Sequence, residues 1–221
     1  VIAGYGRGIS NAVAIKFGKE RGYSLALLCR SKDKLDEAVK RFEGLGVKTI
    51  GVVTDLSDTN AVLESLRQVK ETAGDIGLLH WNCGGGPPKP LLEMTMEELR
   101  CSQRMNVDNL LAATKFVQDD LEKLKGAVLV TGGSLGDHNE EMAQLALAWG
   151  SANWAITSSS SRKLVHLLHL ALKPRGVFVG EVTVRSIVKG TDADRHGNAT
   201  LLPETVADLF AKLLDDRGEP F

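Results

Sequence analysis

The turn Gly4-Tyr5-Gly6-Arg7-Gly8-Ile9-Ser10 constrains this chain more than any other stretch. Val1-Ile2-Ala3 before it reads as the tail of a buried strand. Residues 11–21 after it carry apolar side chains at helical spacing: Ala12, Ala14, Ile15 and Phe17. A glycine-punctuated turn from strand into helix lets backbone approach a diphosphate closely. The helix start then offers free N–H donors and the positive end of its dipole. Glycines alone specify little, but this strand–helix setting is the one a dinucleotide phosphate loop requires.

The remaining pattern fits one doubly wound sheet. Short apolar runs at residues 23–29, 47–53, 75–82, 127–131 and 176–184 read as parallel strands. Between them, amphipathic segments read as helices at residues 32–45, 58–73 and 153–172, with Leu164, Leu168, Ala171 and Leu172 in register on the last. Ser57 or Asp58 caps the second of these, and Thr95-Met96-Glu97-Glu98 forms a capping box opening a long helix to about residue 124. Residues 132–150 read as an irregular loop with a short helix near 142–148, and Pro203 opens a last helix ending near Asp215. With 221 residues, 43% of them hydrophobic, the expectation is a single α/β domain over residues 1–221, with helices on both sheet faces.

Other classes drop out on composition. A net charge of −1 with scattered Lys and Arg gives no nucleic-acid surface. No apolar run approaches the ~20 residues that span a bilayer. Cys29, Cys83 and Cys101 have neither metal-ligand spacing nor an even disulfide count, so reduced thiols in a soluble protein of a reducing compartment are expected, cytoplasm or organelle interior. The chain opens inside a strand without Met, so residues are expected to precede Val1, with room among them for a targeting peptide.

Gly4-xxx-Gly8-x-Ser10 resembles the short-chain dehydrogenase/reductase family, which usually writes Gly at the last position; Ser10 is expected to crowd the helix–strand contact slightly. Trp81-Asn82-Cys83-Gly84 resembles its Asn-Asn-Ala-Gly, and Asp55 stands where it places an Asp near the adenine. Asn106-Val107 matches its Asn-Val step, and Leu172-Lys173-Pro174-Arg175-Gly176-Val177 its Leu-x-Pro-x-Gly-Ile/Val. The resemblance implies a Rossmann-like fold and a dinucleotide held by Gly4, Tyr5, Arg7, Gly8, Ile9, Arg30, Ser31, Asp55, Leu56, Asn82, Cys83, Gly84 and Ile187. Arg30, after the second strand, stands where an acid would bind unphosphorylated ribose. With Arg7 it favours NADP over NAD, because a guanidinium pairs with a 2′-phosphate.

That family's reaction needs a Tyr to protonate a carbonyl, a Lys four residues on to lower the Tyr pKa, and a Ser to polarise the substrate. Counting back from Pro174 puts Trp154 at the Tyr position and Ser158 at the Lys position. Gly133 falls at the Ser position, with Ser134 one residue late, and of the four usual residues only Asn106 stays. The family's Pro-Gly that helps to seat nicotinamide is Val184-Arg185 here. Of other candidates, Asp137-His138-Asn139-Glu140-Glu141 reads as a solvated loop, Cys83 as an Ala replacement, and His166 and His169 as facing a helix neighbour or solvent. No metal site emerges.

The sequence therefore points to a pseudoenzyme that binds NADP(H) and acts as a structural or regulatory subunit. An NADPH-dependent oxidoreductase using a quinone or flavin-like acceptor, and a sensor module responding to cofactor occupancy, are the competing readings. Pairing as a homodimer or within a larger assembly is expected through helices 106–124 and 153–172. The short 187–202 connection makes a thin lid over any small-molecule ligand.

Overall fold

The computed structural model describes residues 1–84 and 86–221; Gly85, inside the glycine–proline loop at 83–90, lies outside the described residues. Its centre is one parallel sheet of β1 (Ile2–Ala3), β2 (Leu25–Cys29), β3 (Thr49–Val53), β4 (Leu78–Trp81), β5 (Ala127–Gly133) and β6 (Phe178–Val184). The strand order is β3-β2-β1-β4-β5-β6, so the direction of winding reverses between β1 and β4. That reversal opens a crevice at the strands' carboxyl ends, where ligands bind in sheets of this kind.

Alternation along the strands sends side chains to two cores. Leu79, Trp81, Val128 and Val130 join a core with α3 (Thr59–Ala73), α5 (Asn109–Leu124) and α7 (Ala152–Leu172). Leu78, Ala127 and Leu129 point the other way, to α1 (Ile9–Ala14), α2 (Lys32–Gly44) and α8 (Pro203–Asp216). Two shorter helices, α4 (Met96–Gln103) and α6 (Glu140–Ala148), lie near the carboxyl edge. Each fully buried Leu or Val here contributes about 1.5–3 kcal/mol. Among the described residues, no helix is long and apolar enough to cross a membrane.

Several expectations shift. The expected strands at 23–29, 47–53, 75–82 and 176–184 lose residues at one or both ends to turns. Asp120, for example, accepts a hydrogen bond from the Ile76 N–H at 3.1 Å, which takes that residue out of the ladder. Two helices change pitch: α1 runs on as a π-helical stretch, Ile15–Glu20, and another, Arg104–Asp108, separates α4 from α5. The segment expected to be an irregular loop begins with β5 continuing to Gly133, then a 3₁₀ turn at Ser134–Gly136 and α6.

Ser10 does not crowd the turn. Its hydroxyl accepts from the Gly6 N–H at 2.9 Å and fastens the loop to α1. On α7 the buried stripe is Val165, Leu168, His169 and Leu172, while Ala171 is exposed. His169 faces neither solvent nor a helix: its Nδ1 donates to the Val179 carbonyl at 2.9 Å, and its ring stands edge-on to Phe178. His166 is exposed, edge-on to Phe221.

Candidate functional site

The carboxyl edge has two halves. In the first, Gly4 and Gly8 have φ of 81° and 86°, a region that favours glycine. A Cβ on Gly4 would overlap the Asn82 carbonyl, and one on Gly8 would lie 2.6 Å from the Thr191 methyl. The turn is therefore bare backbone pressed between the ends of β1 and β4 and the segment after β6. Helices α2, α3, α4 and α6 have side-chain N-caps in Ser31, Asp58, Thr95 and Asn139, but Gly8 before α1 offers none. The first N–H groups of α1 thus stand open beside the glycines, which suits an anion. The residues present fit the diphosphate of a dinucleotide.

Tyr5 is half-buried against the core and pinned: its hydroxyl donates to the Asn11 amide oxygen at 3.1 Å and accepts from Arg41 at 2.9 Å. Arg7 and Arg30 are both exposed. Asp55 accepts from the Ser57 N–H and hydroxyl; these bonds hold its carboxyl below the usual range, with Arg30 adding a smaller pull. Leu56 is buried, and its carbonyl accepts from Asn109 at 2.8 Å. Asn82 donates to the Gly4 carbonyl at 3.3 Å, joining β4 to the glycine turn. Gly84 is exposed, and burial pushes the Cys83 thiol well above its ordinary pKa.

The second half gathers the positions where acid–base chemistry was sought. A Cβ on Gly133 would stand 3.5 Å from the Ser158 hydroxyl, so these two do meet. Ser134 lies beyond them in the 3₁₀ turn. Trp154, half-buried one turn before Ser158, donates its indole N–H to the Gly86 carbonyl at 2.7 Å. Beside it, Asn153 donates to the Pro87 carbonyl at 3.0 Å, so α7 holds the glycine–proline loop by two side chains. Asn106 sits in the π-helical stretch and donates to the Ser102 carbonyl at 3.0 Å. Ile187 lies in the exposed segment after β6, away from any strand.

Sequence reasoning missed an ion cluster under this half, buried at Glu181 and reaching solvent at Arg185. Arg162, one helical turn past Ser158, pairs with Asp137, with Glu181 at 3.1 Å and with the Gly133 carbonyl at 3.1 Å. Arg185 reaches Asp137 from the other side at 2.8 Å. The Glu181 side chain is 0% exposed and fills the space beside Gly132, where any Cβ would overlap its carboxyl. Burial pushes the Glu181 pKa up, against the pull of Thr183 and Arg162. Burial also opposes ionisation of Asp137, yet the bonds from Arg162 and Arg185 keep it below its ordinary value. The 137–141 segment is thus only partly a solvated loop. His138 is exposed, with Nε2 2.8 Å from the Ser159 hydroxyl, but Asp137 is locked in. The i+4 step from Ser158 to Arg162 was the available signal. Nothing local marked Thr191, which reaches Gly8 only through the fold.

A glycine cradle at the β1–α1 turn, on a 3-2-1-4-5-6 sheet, defines a protein of the Rossmann fold class. The comparisons narrow this. Residues 1–199 match the model of the short chain dehydrogenase family, and the chain belongs to that family. It is 24% identical over 193 residues to the 7alpha-hydroxysteroid dehydrogenase of Escherichia coli, covering 87% of this chain and 71% of that protein. Among solved structures, an alcohol dehydrogenase from the archaeon Thermococcus sibiricus complexed with 5-hydroxy-NADP aligns at TM-score 0.77. It is 24% identical, with 97% of this chain and 88% of that one covered. An NADPH-bound short chain oxidoreductase from Pseudomonas aeruginosa containing an atypical catalytic center aligns at TM-score 0.82, with 17% identity and 96% and 87% coverage.

Proposed function

We propose that residues 1–221 form one NADP(H)-binding domain that has lost the carbonyl-reducing machinery and serves as a structural or regulatory subunit. One observation carries this reading. At the position of the proton donor stands Trp154, whose indole N–H is spent on the Gly86 carbonyl at 2.7 Å. An indole N–H is a donor but no acid. Ser158 brings no charge to the next turn. The only tyrosines are Tyr5 and Tyr23, and Tyr5 is held by Asn11 and Arg41.

In this reading the Gly4 and Gly8 backbone and the Ile9 turn hold the diphosphate, and Arg7, Arg30 and Ser31 meet the 2′-phosphate. Asp55 and Leu56 flank the adenine. Asn82, Cys83, Gly84 and Ile187 line the far side. When bound, the nicotinamide supplies or accepts hydride; no residue around Gly133 is a free acid to complete a carbonyl reduction. The exposed arginines and the NADP ligands of the solved relatives support NADP over NAD. The exposed Leu111, Leu167 and Leu170 of α5 and α7 support pairing through those helices, as a homodimer or in a larger assembly. Three unpaired cysteines support a reducing compartment.

A second reading keeps an oxidoreductase whose acceptor, of carbonyl or quinone type, is served by other residues. It is favoured by His138, within hydrogen-bond reach of Ser159 at the same edge. Following NADPH absorbance with aldehydes, ketones, 2-enoyl compounds and quinones separates the two. General acid catalysis is worth ~10²–10⁴-fold, so carbonyl turnover is expected to be undetectable. Turnover near ~1 s⁻¹, ordinary for enzymes, would end the first reading. Its loss in His138→Ala would move the site to that loop.

A further inference from the structure

The glycine turn has a side-chain anchor that no glycine supplies. Its first two N–H groups, of Gly4 and Tyr5, both donate to the Leu28 carbonyl, at 3.0 and 2.8 Å, and the Gly6 N–H donates to Ser10. Tyr5 lies between Gly4 and Gly6, and glycine has the most backbone freedom to lose on ordering. A Cβ on Gly6 would meet nothing within 4 Å, so packing around that residue does not hold the turn. The Tyr5 phenol does reach a partner: it meets Asn11 on α1 and Arg41, in the last turn of α2.

We infer that Arg41 is a positioning residue for the dinucleotide cradle: it fixes the Tyr5 side chain and, through it, the backbone of the glycine turn. The inference rests on the dinucleotide-binding reading above and gives Arg41 a role through Tyr5 rather than a ligand contact of its own. One guanidinium nitrogen serves both neighbours. Arg41 Nη2 donates to the Tyr5 hydroxyl at 2.9 Å and to the Asn11 amide oxygen, while Tyr5 donates to that same oxygen at 3.1 Å. The three groups close a triangle in which the phenol is held both as donor and as acceptor. The guanidinium carbon stands 4.7 Å from the centre of the Phe42 ring, which is 0% exposed, so the planar fork has a fixed support.

Exposure and burial divide the work within the triangle. Arg41 is exposed, and exposed polar contacts add little to global stability. Tyr5 is half-buried against the core that α1 and α2 share, so its ring has little choice of position once the hydroxyl is bound. A turn already held in shape spares a ligand the entropic cost of ordering it. The triangle also has a spectroscopic signature: burial pushes the Tyr5 phenol pKa up, and Arg41 pulls it back down.

The experiment compares the intact chain with Arg41→Met, Tyr5→Phe and the double variant by calorimetric titration with NADPH. Methionine keeps an apolar stem over Phe42 and phenylalanine keeps the ring, so each removes the polar contact with little change in packing. Arg41→Met is expected to weaken binding roughly 3- to 10-fold while the melting temperature holds. Arg41→Lys, which still offers the phenol a donor, should recover part of the loss. Because the two residues act as one, the double variant should bind no worse than the weaker single variant. Tyr5 and Tyr23 are the only phenols, and alkaline absorbance titration should show one transition moved to higher pH in Arg41→Met. Additive losses would mean that Arg41 attracts the anionic ligand directly, and would overturn the inference. So would an unmoved phenol, an unmoved affinity, or a loss of affinity matched by a fall in melting temperature. No binding by the unsubstituted chain would overturn the dinucleotide reading beneath it, an outcome distinct from binding that ignores Arg41.

Discussion

The two halves of the carboxyl edge are built from different materials. Around Gly4 and Gly8 the cradle is backbone: two positive φ angles, an uncapped helix start and a carbonyl of Asn82 where a side chain would have to go. Around Gly133 and Ser158 any chemistry would have to come from side chains. Arg162, Asp137, Glu181 and Arg185 form a closed set of ion pairs below residues that carry no charge. Backbone cradles depend on the fold and survive while the fold does. Side-chain chemistry can leave without disturbing it.

The ion cluster is the strongest lever on that contrast. Arg162→Met keeps much of the side-chain volume but strands Glu181, whose Oε2 already has no hydrogen-bond partner among the described residues. Breaking one member of a buried pair costs about 3–5 kcal/mol. A loss of that size in chemical denaturation is expected, with little change in the position of the glycine turn. A loss under about 1 kcal/mol, the value of exposed pairs, would mean that the cluster is hydrated rather than buried.

In the other half the lever is a single methyl group. Gly4→Ala puts a Cβ into the Asn82 carbonyl at a φ of 81°, whereas a Cβ on Gly6 meets nothing within 4 Å. The backbone term alone costs on the order of 1–3 kcal/mol, and the overlap adds to it. Gly4→Ala should lower the melting temperature by several degrees and weaken dinucleotide binding. Gly6→Ala should stay within about 0.5 kcal/mol of the parent chain. Equal effects of the two would remove the distinction between a steric cradle and an ordinary turn.

Much of this was legible in the sequence because periodicity and caps are local. The alternation of strand and helix, a cap at Ser57 or Asp58 and the Thr95–Glu98 capping box follow from short-range rules, and the structure has the alternation, Asp58 as the cap, and the capping box. The glycine turn was legible for the same reason. Arg162 and Glu181 were not, since 19 residues separate them and only the packing of α7 on β6 makes them partners. Thr191 against Gly8 is a contact across almost the whole chain. His169 was misplaced because hydropathy ranks a histidine as polar, while a single hydrogen bond to Val179 makes it a core residue.

The smallest expected effect concerns the first half's choice of cofactor. Arg30 follows β2, is exposed, and lies close enough to Asp55 to lower that carboxyl slightly. A guanidinium there gains a charge-assisted pair with a 2′-phosphate and has no comparable partner in a free 2′-hydroxyl. That bond is worth roughly 1.5–3 kcal/mol, or about 10- to 150-fold in affinity. Arg30→Gln removes the charge without placing a second carboxylate beside Asp55, so it is a cleaner test than Arg30→Asp. In Arg30→Gln the affinity for NADP(H) should fall by that factor while the affinity for NAD(H) holds. Because the pair is exposed, the parent chain's preference should also shrink between about 0.05 and 0.5 M salt as the Debye length shortens. A preference that ignores both the substitution and the salt would place the discriminating contact elsewhere, with Arg7 the next residue to change.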